Sequence, residues 1–125
     1  MNLNDLTIGD AKALAAMFSS PSATTTFQAP LGKKCIVRTY ASGVHFGTLE
    51  AQEGRQVKLT NARRLWKWHA ASGISLSEVA VYGINASNSK ICEVVPEIYI
   101  TDALEIIPAS DVSVNSIETA AVYQP

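Results

Sequence analysis

Cysteine, histidine and charge are scarce in this sequence, and each scarcity closes off a class of function. Cys35 and Cys92 stand far apart, with no CxxC and no histidine pair beside them. Two such thiols supply neither a disulfide framework nor the four ligands of a structural zinc site. We expect both to be small buried hydrophobes in strands. The histidines are His45 and His69, neither with a carboxylate partner beside it in a recognised arrangement, and no P-loop, GxGxxG, HExxH or GxSxG occurs. The expectation is a non-enzymatic protein without catalytic residues, metal or cofactor, and a hydrolase built on His45 or His69 ranks last. Charged residues make up 17% of the chain, where about 25% is usual. A net charge of −1 argues against a general binder of duplex DNA, which carries a broad excess of Lys and Arg. No apolar run approaches the roughly 18 residues of a membrane span. The acidic start MNLNDLTIGD argues against a secretory signal peptide, so the chain is expected to stay in the cytoplasm where it is made.

At 125 residues the chain fits one compact domain. Ile8, Ala11, Leu14, Ala15 and Phe18 recur at helical spacing and predict a short N-terminal helix. The run Ser19 to Pro30 is aperiodic and rich in small hydroxylated residues; it predicts an extended linker, making residues 1–30 an arm. From Lys33 the period becomes two. KKCIVRTY, VHFGTLEA and QVKLT alternate apolar and polar residues and are separated by the turns ASG and QEGR, which predicts an antiparallel meander. A bend near Thr60-Asn61-Ala62 is expected, because the third strand would otherwise run too long. SLSEVAVYG carries a capping-box pattern at Ser75 and Glu78 followed by β-like residues, and reads as a short helix or turn leading into a strand. Further strand is expected to Val95, then a break at Pro96, then strand again through Ile107. A short helix capped by Asp111 and a tail close the chain. The fold class is mainly β (α+β): a small antiparallel sheet or partly open barrel over residues 31–108, with a short helix at each end and residues 109–125 as helix and tail.

The densest chemistry lies in NARRLWKWHAASG. Three of the ten Lys and Arg residues, both tryptophans and one of the two histidines fall within Arg63 to His69. Guanidinium groups fork onto phosphate or carboxylate, and indole faces stack on flat rings. An extended backbone would show Arg64, Trp66 and Trp68 on one face, with Arg63, Leu65, Lys67 and His69 on the other. We therefore take Arg63, Arg64, Trp66, Lys67, Trp68 and His69 as candidate ligand-binding residues for a nucleotide-like anion, with Arg38 and Tyr40 as weaker members. The competing reading makes the same residues interface ballast and a solvated face, since aromatic and basic residues are also enriched at protein interfaces.

The segments CIVRTY, GVHFGTLE, NARRLWKWHAASGISLSEVAVYGI, SKICEVV and ALEIIP resemble the body of a widespread family of small bacteriophage proteins of unknown function. The resemblance runs from about Cys35 to Pro108, and RRLWxWxAA is its most distinctive part; the helix and linker before Lys33 look like an addition. It implies a phage gene and a β-rich domain, and no established activity. Two roles follow as expectations. One is an accessory protein of the host cytoplasm, a homo-oligomer that sequesters a cyclic nucleotide or ADP-ribose-type defence signal. The other is a virion component of head, neck or tail that contacts other virion proteins. The low charge fits either, because both cover part of the surface with protein.

Overall fold

The computed structural model describes residues 27–125. The helix expected over residues 7–18, and most of the linker after it, lie outside the described residues. The class is as expected: a six-stranded antiparallel sheet with two short helices. Strands β1 (Lys34–Thr39), β2 (Val44–Glu53) and β3 (Gln56–Lys67) form the meander that their alternating residues call for. After β3 come α1 (Leu76–Tyr82), a single 3-10 turn, β4 (Lys90–Ile91), β5 (Val95–Ile100), β6 (Ala103–Pro108) and α2 (Asp111–Glu118). β6 returns to pair with β1, whereas β5 and β4 share the outer edge of β3, at Val57–Ala62 and Leu65–Lys67 respectively.

The expected bend sits at Asn61, whose φ of 49° is left-handed, opposite a register slip between Phe46 and Thr48. Gly47 fills the inside of the slip. A Cβ there would lie 3.1 Å from Thr60 O and 3.2 Å from Ala62 Cα, so hydrogen is the only side chain that fits without moving backbone. The bend re-aims the distal half of the β2–β3 ribbon. Its turn then meets the β5–β6 turn, where Ala103 N donates to Arg55 O at 3.0 Å. No ladder joins β5 to β6 among the described residues, so the sheet is curled but open.

Strand alternation feeds two cores. On one face Ile36, Val44, Phe46 and Leu65 pack under the helices against Leu76, Val79, Ala80 and Ile117. On the other, Cys35, Val37, Leu49, Leu59 and Ala62 pack within the curl against Ile100 and Ala103. Cys35 is fully buried as expected, and burial pushes its thiol up to about 11. Cys92 is only half-buried and lies between β4 and β5 rather than in a strand.

Three local expectations change. VAVY continues α1 instead of opening a strand, because Leu76, Val79 and Ala80 share a face that the core covers. The Glu78 carboxylate holds the entry to α1, accepting from Ile74 N, Ser75 N and Ser75 Oγ at 2.8–2.9 Å. Pro96 lies inside β5, and the break falls at residues 92–94. An edge strand tolerates a residue that cannot donate. Ser110, not Asp111, caps α2, its Oγ accepting from Ser113 N at 3.1 Å.

Candidate functional site

The basic and aromatic run begins in the last residues of β3, at Arg63–Lys67, and passes beyond its end with Trp68 and His69, so its members are divided. Arg63 goes to the helix side and is buried, at 3% exposure. Its guanidinium donates to Cys92 O (2.8 Å), Ile117 O (2.8 Å) and Ala120 O (2.7 Å). Those last two carbonyls lie at and just beyond the end of α2, where the negative pole of the helix favours a cation. Arg63 borders the cleft that Arg64 lines, but its guanidinium is spent on these three carbonyls. It is a clamp that ties the C-terminal helix to the sheet.

Arg64 points the other way and is exposed. With His45, Ala62, Arg63, Cys92, Glu93, Val95 and Ile98 it lines a cleft of about 260 Å³ at the junction of β4 and β5. Among the described residues no carboxylate forms an ion pair with it. His45, its partner across the β2–β3 ladder, is 1% exposed. Thr39 Oγ1 donates to Gly43 O (2.8 Å) and Ser42 Oγ donates to Thr39 Oγ1 (3.0 Å). With the imidazole proton placed on Nε2, that nitrogen donates to Ser42 Oγ at 3.1 Å. Nδ1 is a buried acceptor with no partner among the described residues. Burial, and secondarily the Arg64 charge, hold the ring below its ordinary pKa, so it stays neutral.

This arrangement is a poor general base. The Ser42 hydroxyl is shared between Thr39 Oγ1 and the ring, and among the described residues no carboxylate bonds Nδ1 to orient it as nucleophilic catalysis needs. The nearby Asp102 spends Oδ2 on Ala41 N at 2.8 Å. What the cleft offers is the Arg64 guanidinium beside a neutral imidazole and apolar side chains, with the Glu93 carboxylate at its border engaged by Val94 N at 2.9 Å.

Trp66 and Trp68 part company. Trp66 is 68% exposed, whereas Trp68 packs against the helix-side core. The shared face expected for Arg64, Trp66 and Trp68 fails because the strand ends at Lys67 and the β3–β4 ladder slips between Leu65 and Lys67. Lys67 is exposed and directly opposite Lys90, a like-charge pair that is unfavourable unless an anion is near. His69 lies beyond the strand, exposed, its backbone held by Ser89 Oγ and Asn85 N. Arg38 is removed from the group, bonded to Glu105 at 3.0 Å, and Tyr40 stands 84% exposed on the β1–β2 turn.

Two residues outside the expected set join Trp66. Lys90 Nζ lies 5.3 Å from the Trp66 ring centre and 4.8 Å from that of Tyr123. Tyr123 reaches this position because its N donates to Ile91 O at 2.9 Å, which turns the tail along β4. Nothing periodic in the sequence marks either residue; the only hint is an aromatic in an otherwise small-residue tail.

Residues 32–117 match the family model described as Domain of unknown function (DUF6948), and the chain belongs to that family. No curated protein and no solved structure matches it.

Proposed function

We propose that this family member is a non-enzymatic binder of a nucleotide-like anion, held at the Arg64 cleft and the adjoining Trp66 ring. The observation that carries the reading is an exposed guanidinium without an ion pair among the described residues, set over a cleft whose other wall is the buried, neutral His45. Lys67 and Lys90 add positive charge at the same end of β3. Small-molecule sites usually span about 300–1,000 Å³. A cleft of about 260 Å³ thus suits the phosphate and sugar of one nucleotide better than a whole cyclic dinucleotide. A binder without turnover acts by holding its ligand, and we assign it the role of a phage accessory protein that sequesters a nucleotide signal in the host cytoplasm as a homo-oligomer.

Native mass spectrometry with AMP, ADP-ribose and a cyclic dinucleotide tests this. The expected result is an intact, stoichiometric ligand mass that Arg64→Ala and Trp66→Ala each weaken at least tenfold, since stacking alone contributes about 1–3 kcal/mol per base. A protein that binds none of them returns the run to packing duty.

A second reading has its own observation. β5 and β6 each have a free edge among the described residues, and Tyr99 and Leu104 on them are 66% and 43% exposed. Free edges with apolar side chains suit pairing with another chain, as in a virion head, neck or tail component. Recovery of the protein from purified particles at fixed stoichiometry, with no nucleotide bound, would put this reading first.

A further inference from the structure

We infer that Trp66 and Tyr123 form a two-ring clamp for the planar part of the ligand, with Lys90 as a placeholder that leaves the clamp to pair with the ligand's anionic group. The inference rests on the anion-binding reading above and extends it to residues, and to a ligand class, that the run Arg63–His69 does not contain.

The geometry is that of a bracket around one ammonium. Lys90 Nζ stands 5.3 Å from one ring centre and 4.8 Å from the other, so the two rings are separated by at most the sum of those distances. Stacked aromatic rings sit with centres about 4.5–7 Å apart. The space that Lys90 holds is therefore one stacking distance from each ring. We place a base-sized ring at that position once the ammonium moves aside; a bare phosphate would leave both π faces unused.

Both sides of the bracket are held by backbone rather than by long side chains. Trp66 is in β3, whose ladder with β4 carries Lys90 opposite Lys67. Tyr123 is fixed by its own N–H on Ile91 O (2.9 Å), and the tail before it by Arg63 on Ala120 O (2.7 Å). The buried arginine thereby positions the clamp that the exposed one serves. Lys90 is the movable part. Its cation–π contacts are weak, and a phosphate on the ligand offers its ammonium a stronger, charge-assisted partner. The ligand class that satisfies every group is a planar heterocycle carrying a phosphate one sugar away, a nucleoside monophosphate unit.

Calorimetric titration with AMP and with adenosine tests the clamp in the full-length chain and in Tyr123→Ala, Tyr123→Phe and Lys90→Ala, with melting temperatures confirming that each variant is folded. Tyr123→Ala is expected to weaken AMP about tenfold or more, the loss typical of one stacking contact, while Tyr123→Phe stays within about twofold because the ring and not the hydroxyl does the stacking. Lys90→Ala is expected to split the two ligands: AMP weakens, and adenosine tightens because nothing competes for the gap. Equal AMP affinity in Tyr123→Ala and wild type, together with a loss in Arg64→Ala, overturns the clamp and leaves the anion site standing. Lys90→Ala weakening adenosine as much as AMP also overturns it, as does tight binding of tetramethylammonium in that variant without any for AMP, which would make the bracket a cation site. A wild-type protein that binds neither AMP nor adenosine removes the clamp and the site together.

Discussion

Arg63 and Arg64 are adjacent on one strand and differ in everything that follows from which way the pleat turns them. On the helix side Arg63 meets carbonyls at the end of α2, and its guanidinium is consumed by the fold. On the curled side Arg64 meets a half-empty cleft, and among the described residues its charge is free for something else. The two tryptophans repeat the contrast in a different way. Trp68 lies past the strand end and falls into the helix-side core, while Trp66 stays on the surface beside Lys90. The lesson is that a cluster of like residues in sequence is not a cluster in space once a pleat, a ladder slip and a strand end have acted on it.

The sharpest way to break the comparison is to remove each arginine in turn. Arg63→Ala should cost about 3 kcal/mol or more in urea unfolding, because it removes three bonds from a charged donor, each worth about 1.5–3 kcal/mol before relaxation. Lysine should not restore it, since an ammonium cannot fork between Cys92 O and the carbonyls of Ile117 and Ala120. Gly47→Ala comes next, at about 1–3 kcal/mol, because the new methyl group presses on the backbone of Thr60 and Ala62. A cost below about 0.5 kcal/mol would mean that the bend at Asn61 yields freely and does not set the curl.

The His45 test is smaller and concerns sign. The folded state holds the ring below its ordinary pKa of 6.5, so above about pH 6.5 the neutral form is present in both states and stability is full. As pH falls below that value the unfolded chain binds the proton first, and stability declines toward the folded pKa. The unfolding midpoint of the wild type should therefore drop between pH 7 and pH 5 more than that of His45→Leu; equal slopes would show that the imidazole is solvated after all. The smallest effect is the most informative. Arg64→Ala should shift stability by no more than about 0.5 kcal/mol, the range of ordinary surface changes, so a large loss would mean that Arg64, like Arg63, is structural.

Much of the sheet was legible because period-two alternation is a local signal. β1, β2 and β3, their turns and the bend near Asn61 follow from residue spacing and from the length an ordinary strand can reach. The short α1 was harder. VAVY has β-branched residues that favour strand locally, and only a core contact for Val79 together with the Glu78 carboxylate at the helix entry tips the balance to helix. Pro96 misled in the opposite direction, since a proline at an outer edge breaks nothing. In the candidate site, Arg64 and Trp66 were singled out from composition alone. Lys90 and Tyr123 were not, because they come to Trp66 through a ladder and a tail that join residues far apart in the chain.

The sequence by itself determined a mainly β domain, its first three strands and the segment where positive charge and indole rings concentrate, because alternation, turn chemistry and composition act over a few residues. Only the tertiary structure decided which arginine is spent on a helix end and which is left over a cleft. That choice depends on where α2 docks and where β4 slips, and on the free energy of satisfying buried carbonyls. These are properties of the packed chain, and no window of its sequence contains them.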